Sequence, residues 1–391
     1  MAALWATPEV AEARSAFDAQ RLRSRGVEAG REEWSVAVEA ARRRIQTTPR
    51  DTQPEWSLAL SRPVRLPARA AADRALAGAA VAYAEANLGV ALHESGRHLL
   101  TLWFDWLGAA AEARAWHAQI AVVERQLAAV DARIRLGEVP RADRINAEAA
   151  RAQAKLRQQE AEHRMLLTYT RLQADFPGLQ PVADVELPEP TVPSGSTDAH
   201  VEAVLAHNHE LARARRQVEF LQAEARQFAA RASPDPSLGL FYRDEAGGDE
   251  RVLGLSLGLT LPGNARRNDR LTAEQLATDA QVSALRLEQR LRVEARADFE
   301  TAVSQVRNWQ QAELAARALA EAARLAERAY ALGEGSFDQI LQNQRLALDG
   351  ALGALRARLD ALSADARLQL DSHRLWPLDL DGVADRAHAH P

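Results

Sequence analysis

The sequence predicts a mainly α fold with a small β part, built from internally duplicated long antiparallel helical hairpins. Three observations predict it. Residues Ala68 to Arg135 contain no proline and only single glycines, and Ala265 to Leu332 contain neither residue. Each of these runs is preceded by an alternating stretch that closes in Leu-Pro, at Leu66-Pro67 and Leu261-Pro262. Each ends in a Leu-Gly turn, and the intervals agree: 70 residues separate Leu66 from Leu136, and 71 separate Leu261 from Leu332.

The elements follow in order. Thr7-Pro8-Glu9 supplies an N-cap, a first helical proline and a first-turn acid, so a helix is expected from Thr7 until Gly26 and Gly30 break it. Trp34, Val36 and Val38 alternate as a strand, with helix also possible as far as Ile45, and Thr47 to Pro54 reads as a loop. Residues 34–66 form the first expected β-hairpin, against which Pro63 counts as an inner-strand residue. The 68 residues from Ala68 to Arg135 would span roughly 100 Å as one helix. A return helix follows from Asp143 to about Asp175, closing the first repeat at 1–176. Five prolines and two glycines make 177–197 a linker. The second repeat, 198–391, holds a helix to Ala230, a hairpin at about 236–261, a glycine-free helix and a return helix to about His373. The tips, about 136–143 and 332–339, align at a constant offset of 196 residues: Leu136 with Leu332, Gly137 with Gly333, Glu138 with Glu334, Pro140 with Ser336, Asp143 with Gln339 and Asn146 with Gln342.

Composition narrows the function. Aromatic residues are only 5% of the 391-residue chain and Lys155 is its one lysine, while alanine and arginine abound, which suits closely packed helices better than a thick globular core. A net charge of −5, with basic residues interleaved among acids, argues against a nucleic-acid partner. The absence of cysteine excludes disulfides and thiolate metal sites. There is no P-loop, G-x-S-x-G, H-E-x-x-H or dinucleotide fingerprint, so neither an enzyme nor a cofactor or metal site is expected. No run of 18 apolar residues indicates a membrane helix, and Met1 to Ala6 does not read as a secretory leader, so on an exported reading the leader has been removed.

The second Leu-Pro stretch is the most telling. Leu253, Leu255, Leu257, Leu259 and Leu261 fall on one face, and Gly254, Ser256, Gly258 and Thr260 on the other. Lipid outside and water inside would produce this pattern, with the leucines as the lipid-facing set, yet on this stretch alone an amphipathic strand of a soluble sheet fits equally well. Trp34, Trp56 and Tyr242 fit either an interfacial aromatic belt or ordinary packing.

The order helix, hairpin, Leu-Pro, long helix, Leu-Gly turn, return helix, twice over, resembles the outer membrane factor (TolC-like) family across nearly the whole chain. Ala329-Tyr330-Ala331-Leu332-Gly333-Glu334-Gly335-Ser336-Phe337-Asp338-Gln339-Ile340-Leu341 resembles that family's tip signature. Glu55-Trp56 to Leu66-Pro67, followed by Ala72-Asp73-Arg74, resembles its CzcC-like cation-efflux branch. The resemblance implies a homotrimer in the outer membrane with a periplasmic extension. Each protomer would give four strands to a shared 12-stranded barrel, and the helices would form an α-barrel. It implies passive conduction of substrate, divalent metal cations for that branch, within a tripartite system. The partners would be a periplasmic adaptor (membrane fusion protein), an inner-membrane pump of the RND type and outer-membrane lipid. Adaptor docking would fall on Leu136, Gly137, Glu138, Pro140, Leu332, Gly333, Glu334, Gly335 and Ser336. Related channels place acids after the second tip as a cation-binding gate. Here the corresponding candidates are Asp143, Asp338, Gln339 and Gln342, and Asp338 also fits a first-turn acid favoured by the helix dipole.

The alternative is a soluble or periplasmic coiled-coil scaffold or adaptor, which leaves the repeated hairpin before each long helix unexplained. The His207-Asn208-His209 and His388-Ala389-His390 pairs fit solvated segments better than a built metal site.

Overall fold

The computed structural model describes residues 2–30, 32–46, 48–182 and 186–376. The chain is mostly helical, with one four-stranded antiparallel sheet. Its elements are α1 (Ala2–Trp5), α2 (Pro8–Ala29), β1 (Ser35–Ile45), β2 (Asp51–Pro63), α3 (Pro67–Arg135), α4 (Arg141–Asp175), α5 (Thr197–His207), α6 (His209–Ala230), β3 (Asp235–Glu245), β4 (Glu250–Thr260), α7 (Asn264–Ala331) and α8 (Phe337–Asp371). The two long helices have 69 and 68 residues, and each return helix has 35. The helix starts Arg141 and Phe337 keep the 196-residue offset of the tips.

Two compact units divide these elements. One comprises Glu12–Leu88 and His209–Glu288 and contains the sheet. The strands lie in the order β1-β2-β3-β4, so β1 and β4 each have one unpaired edge. Three prolines sit inside this sheet. Pro54 faces Arg42 but lies beyond the β3 ladder, and Pro63 faces Ser237 but lies beyond the β1 ladder, so at these two the missing N–H falls where no neighbouring strand is paired. Pro236 faces Leu259 and, at the very end of the β2–β3 ladder, keeps one bond there as acceptor of the Val64 N–H at 2.8 Å. The expected loop over Thr47 to Pro54 is correspondingly shorter, because β2 already begins at Asp51.

The other unit comprises the chain up to Ala11, Gly89–Asn208 and the chain from Gln289 on, and it is helical. Its packing follows a seven-residue period. Ala147, Ala154 and Ala161 are buried along α4, and Ala354, Ala361 and Leu368 along α8. Such spacing keeps one seam facing a neighbouring helix, and alanine in the seam lets the backbones approach closely. Phe299, Ala302 and Leu368 form one such contact cluster between α7 and α8.

Several expectations are corrected. Gly26 does not break a helix: α2 runs through it to Ala29, and only Gly30, at φ +89°, leaves the helical region. Nothing surrounds Gly26 that requires its flexibility, and a single glycine costs a helix only about 1 kcal/mol. The helix expected from Asp198 to Ala230 is two helices, because Asn208 adopts an extended conformation at φ −69°, ψ 113°. A short α1 precedes α2, and the Thr7 hydroxyl donates to the Leu4 carbonyl at 3.0 Å where an N-cap role was expected. Finally, α3 does contain an 18-residue window of mean hydropathy 1.4 with at most two charged residues, so one helix is apolar and long enough to cross a membrane. Runs of alanine, leucine and valine raise that average, and a third of the window is buried inside the protein.

Candidate functional site

The sheet has two unlike faces. Cross-strand partners share a face, so the register places Val36, Leu60, Leu240 and Leu255 in one row and Val38, Leu58, Tyr242 and Leu253 in the next. This apolar face is largely exposed. Leu253, Leu255, Leu257, Leu259 and Leu261 are 59–84% exposed, with Leu261 just past the end of β4. Trp56 and Tyr242 pack together on this face with ring centroids 5.2 Å apart, and Trp34 lies under the Arg62 guanidinium at 5.4 Å.

The opposite face carries Glu39, Arg43, Ser57, Ser61, Arg243, Ser256 and Thr260. Its charges are linked across strands: Arg43 reaches Glu55 at 2.7 Å and Glu245 at 3.5 Å, and the Arg243 guanidinium stacks on Phe241 at 4.7 Å. The Phe241 ring lies over Gly254, where an added Cβ would approach it to 2.5 Å. Glycine at 254 is thus the space that the aromatic ring occupies.

Where strands meet helices, carboxylates tie the joint. Asp73, in the stretch resembling the cation-efflux branch, is buried and accepts from Arg65 at 2.7 Å and Gln227 at 2.6 Å. Arg65 also donates to the carbonyls of Val27 and Glu28, and Asp235 receives Arg69 at 2.5 Å and Arg266 at 2.6 Å. These charge-assisted bonds fix how each hairpin enters its long helix.

Both tips in the helical unit end in the same capping geometry. The Gly137 N–H donates to Ile134 and the Glu138 N–H to Arg133, while Gly333 donates to Tyr330 and Glu334 to Ala329. This is the Schellman arrangement, and Gly137 and Gly333 occupy its left-handed position at φ +75° and +79°. It leaves Leu136 and Leu332 pointing outward, 73% and 68% exposed. Ser336 and Gln339 then cap α8 reciprocally, each side chain accepting the other's backbone N–H, whereas Pro140 starts α4 without a side-chain cap.

The tips are packed against one another. Val130, Ala147, Phe337 and Ile340 form their core. The Arg133 guanidinium sits 4.3 Å from the Tyr330 ring centroid and donates to the Tyr330 carbonyl at 3.3 Å and to Glu138 at 3.2 Å. The Tyr330 hydroxyl donates to Asp143 at 3.4 Å, and Asn146 donates to Asp338 at 2.9 Å. Burial and the nearby Asp143 carboxylate raise the Tyr330 pKa, against the lowering influence of Arg133. Of the four candidate gate residues, then, Asp143 and Asp338 join one tip to the other, Gln339 is in the capping box and Gln342 is exposed. Arg133, Tyr330 and Asn146 are contributors that sequence reasoning missed as a contact set. The constant offset superposes the tips but does not say which side chains meet.

The histidines resolve differently from their sequence pairing. His207 lies against His373, with ring centroids 5.1 Å apart and the planes tilted by 31°, and His93 lies 3.3 Å from the buried Asp371 carboxylate, which also accepts from Arg97 at 3.0 Å. Burial pushes Asp371 up, but the His93 hydrogen bond and the Arg97 charge outweigh it and hold the carboxyl below its ordinary range. Among the described residues no group of three or more His, Cys, Asp or Glu is placed to hold a metal ion. His388 and His390 lie outside the described residues.

No protein-family model matches the chain, and no curated protein matches it in sequence. In structure it has the fold of outer-membrane channels. It is similar to the CmeC outer membrane channel of Campylobacter jejuni at 12% identity and a TM-score of 0.78, covering 98% of this chain and 87% of that one. It is similar to CusC at 14% identity and TM-score 0.77, covering 95% and 90%. The outer membrane protein VceC of Vibrio cholerae gives 19% identity and TM-score 0.73, covering 95% and 94%. At these identities the likeness is one of fold, and it does not distinguish the cation-efflux branch.

Proposed function

We propose that the chain is the protomer of a trimeric outer-membrane channel that conducts solutes passively out of the periplasm. The observation that carries this is the polarity of the sheet: a continuous leucine-rich face stands exposed, while the opposite face is small, polar and charged and is partly covered along β2. In water that arrangement is unfavourable at about 25 cal/mol per Å² of apolar area left exposed, and against lipid it is favourable. Four strands with two open edges cannot close a barrel, since unpaired backbone groups in lipid cost several kcal/mol each. Three copies would give twelve strands, and the fold likeness to outer-membrane channels favours that assembly.

On this reading the two repeats, 1–176 and 198–391, are an internal duplication joined by the 177–197 linker. The equal lengths of α4 and α8 and their 196-residue offset support it. The long helices form a tube that continues the pore. The exposed Leu136 and Leu332 turns dock a periplasmic adaptor, and an RND pump supplies the energy. Asp143 and Asp338 act as the gate, and divalent metal cations are the cargo that the Glu55 to Arg74 resemblance favours. The test is conductance of detergent-extracted protein in planar bilayers together with its native mass. A trimer giving discrete conductance steps supports the proposal. A water-soluble monomer without bilayer activity overturns it.

A further inference from the structure

Beyond the apolar band, the exposed face of the sheet carries a second feature. Continuing the leucine rows toward the hairpin turns, the register places Arg42 opposite Pro54 and Arg44 opposite Thr52 on β1, and Arg251 opposite Asp244 on β4. All three arginines share a face with Trp56 and the leucines. Arg251 stands in the same row as Trp56 and Asp244, Arg42 one row further toward the turn, and Arg44 two rows further. At about 3.3 Å per residue, Arg42 and Arg44 lie roughly 7 and 13 Å past the tryptophan. Arg251 has a weak partner, Asp244 at 3.9 Å, whereas no ion pair or hydrogen bond engages Arg42 or Arg44 among the described residues. Of the acids nearby, Glu55 and Glu245 lie on the other face and hold Arg43 there, and Asp244, the acid on the arginines' own face, is one row short of Arg42 and faces Arg251.

We propose that Arg42, Arg44 and Arg251 form a cationic collar that binds phosphate-bearing lipid headgroups at the rim of the barrel. The inference rests on the channel reading, which makes this face lipid-facing and the turn end, remote from the helices, its outer rim. Trp and Tyr mark the level where hydrocarbon gives way to headgroups. Cations just past that level meet anionic headgroups, whose phosphates match the planar fork of arginine better than a lysine ammonium. The strand order strengthens the point. Any barrel closed edge to edge sets β1 of one copy beside β4 of the next, so the two unpaired arginines of one copy join Arg251 of its neighbour in one patch at each seam.

The test measures lipid binding by the purified assembly, using native mass measurement with phosphatidic acid or phosphatidylcholine as probe. Phosphatidic acid is expected to bind the wild type at least tenfold more tightly than phosphatidylcholine. At about fivefold per arginine near a membrane surface, the R42Q/R44Q double variant should bind it roughly 30-fold more weakly. The R43Q control, on the opposite face, should bind as the wild type does, and excess inorganic phosphate should not displace the lipid. Wild-type affinity in R42Q/R44Q, equal loss in R43Q, or full displacement by inorganic phosphate would each overturn the collar. Conductance separates this failure from that of the channel reading. A double variant that still conducts but is unchanged in lipid binding sinks the collar alone, whereas a wild type that never inserts removes both.

Discussion

Replacing Arg133 by alanine should loosen the tips without unfolding the protein. Three contacts are lost. The guanidinium above the Tyr330 ring at 4.3 Å contributes about 1 kcal/mol at a partly exposed site. Its donation to the Tyr330 carbonyl at 3.3 Å adds about 1 kcal/mol, with a long distance offsetting a charged donor. The Glu138 pair is half exposed and contributes about 0.5 kcal/mol after screening. Together these give about 2.5 kcal/mol, or roughly a 70-fold increase in local opening. The readout is direct, because the same Tyr330 carbonyl also accepts the Gly333 N–H. Hydrogen exchange should therefore accelerate at Gly333 and Glu334, while amides in the middle of α7 keep their protection. Arg133→Lys should fall between, since an ammonium keeps the charge and loses the fork. Unchanged exchange at Gly333 and Glu334 in Arg133→Ala would refute the claim that this side chain holds the second tip.

Other outcomes follow from the same geometry. Gly333→Ala and Gly137→Ala each force a Cβ into a left-handed residue, so each should lower unfolding free energy by about 1–2 kcal/mol in urea titration, with the turn itself retained. Gly254→Ala places a methyl against the Phe241 ring and should cost about 1–3 kcal/mol; adding Phe241→Ala should recover part of that loss, and a strictly additive double-mutant cycle would count against the contact. His200 is buried, and burial together with the Arg374 charge lowers its pKa below its ordinary 6.5. A lowered folded pKa means the unfolded chain binds the proton more tightly, so this contribution to stability is complete above about pH 6.5 and is lost as pH falls through the folded value. His200→Phe, beside the Phe299 ring, should flatten that part of the stability profile below about pH 6.5, measured as a smaller proton uptake on unfolding than the wild type shows.

Regular features were legible in the sequence because they are local. A side-chain period of two from Arg251 to Leu261 and an absence of proline from Ala265 to Leu332 are statements about neighbouring residues, and β4 and α7 occupy those stretches. What could not be read depends on neighbours in space. Pro54 looks like a loop residue until β3 is seen to stop short of it. Asn208 has helix-compatible sequence on both sides, and only its extended backbone divides α5 from α6. The candidate site divides in the same way. The leucine face follows from alternation, but Arg133 meeting Tyr330 and Asn146 meeting Asp338 join residues nearly 200 positions apart. No motif links those residues along the chain.

The two open edges of the sheet also constrain the order in which a channel can be made. The 11 residues of β1 present about ten backbone polar groups along its free side, and β4 has the same length. Left unpaired in hydrocarbon, these groups would cost a single copy tens of kcal/mol. On the proposed channel reading, a lone protomer is therefore barred from the bilayer interior, and subunits must find one another in water or at the interface before any of them crosses. Biogenesis would then be second order or higher in protomer concentration, and a strand-edge variant would fail by accumulating outside the membrane.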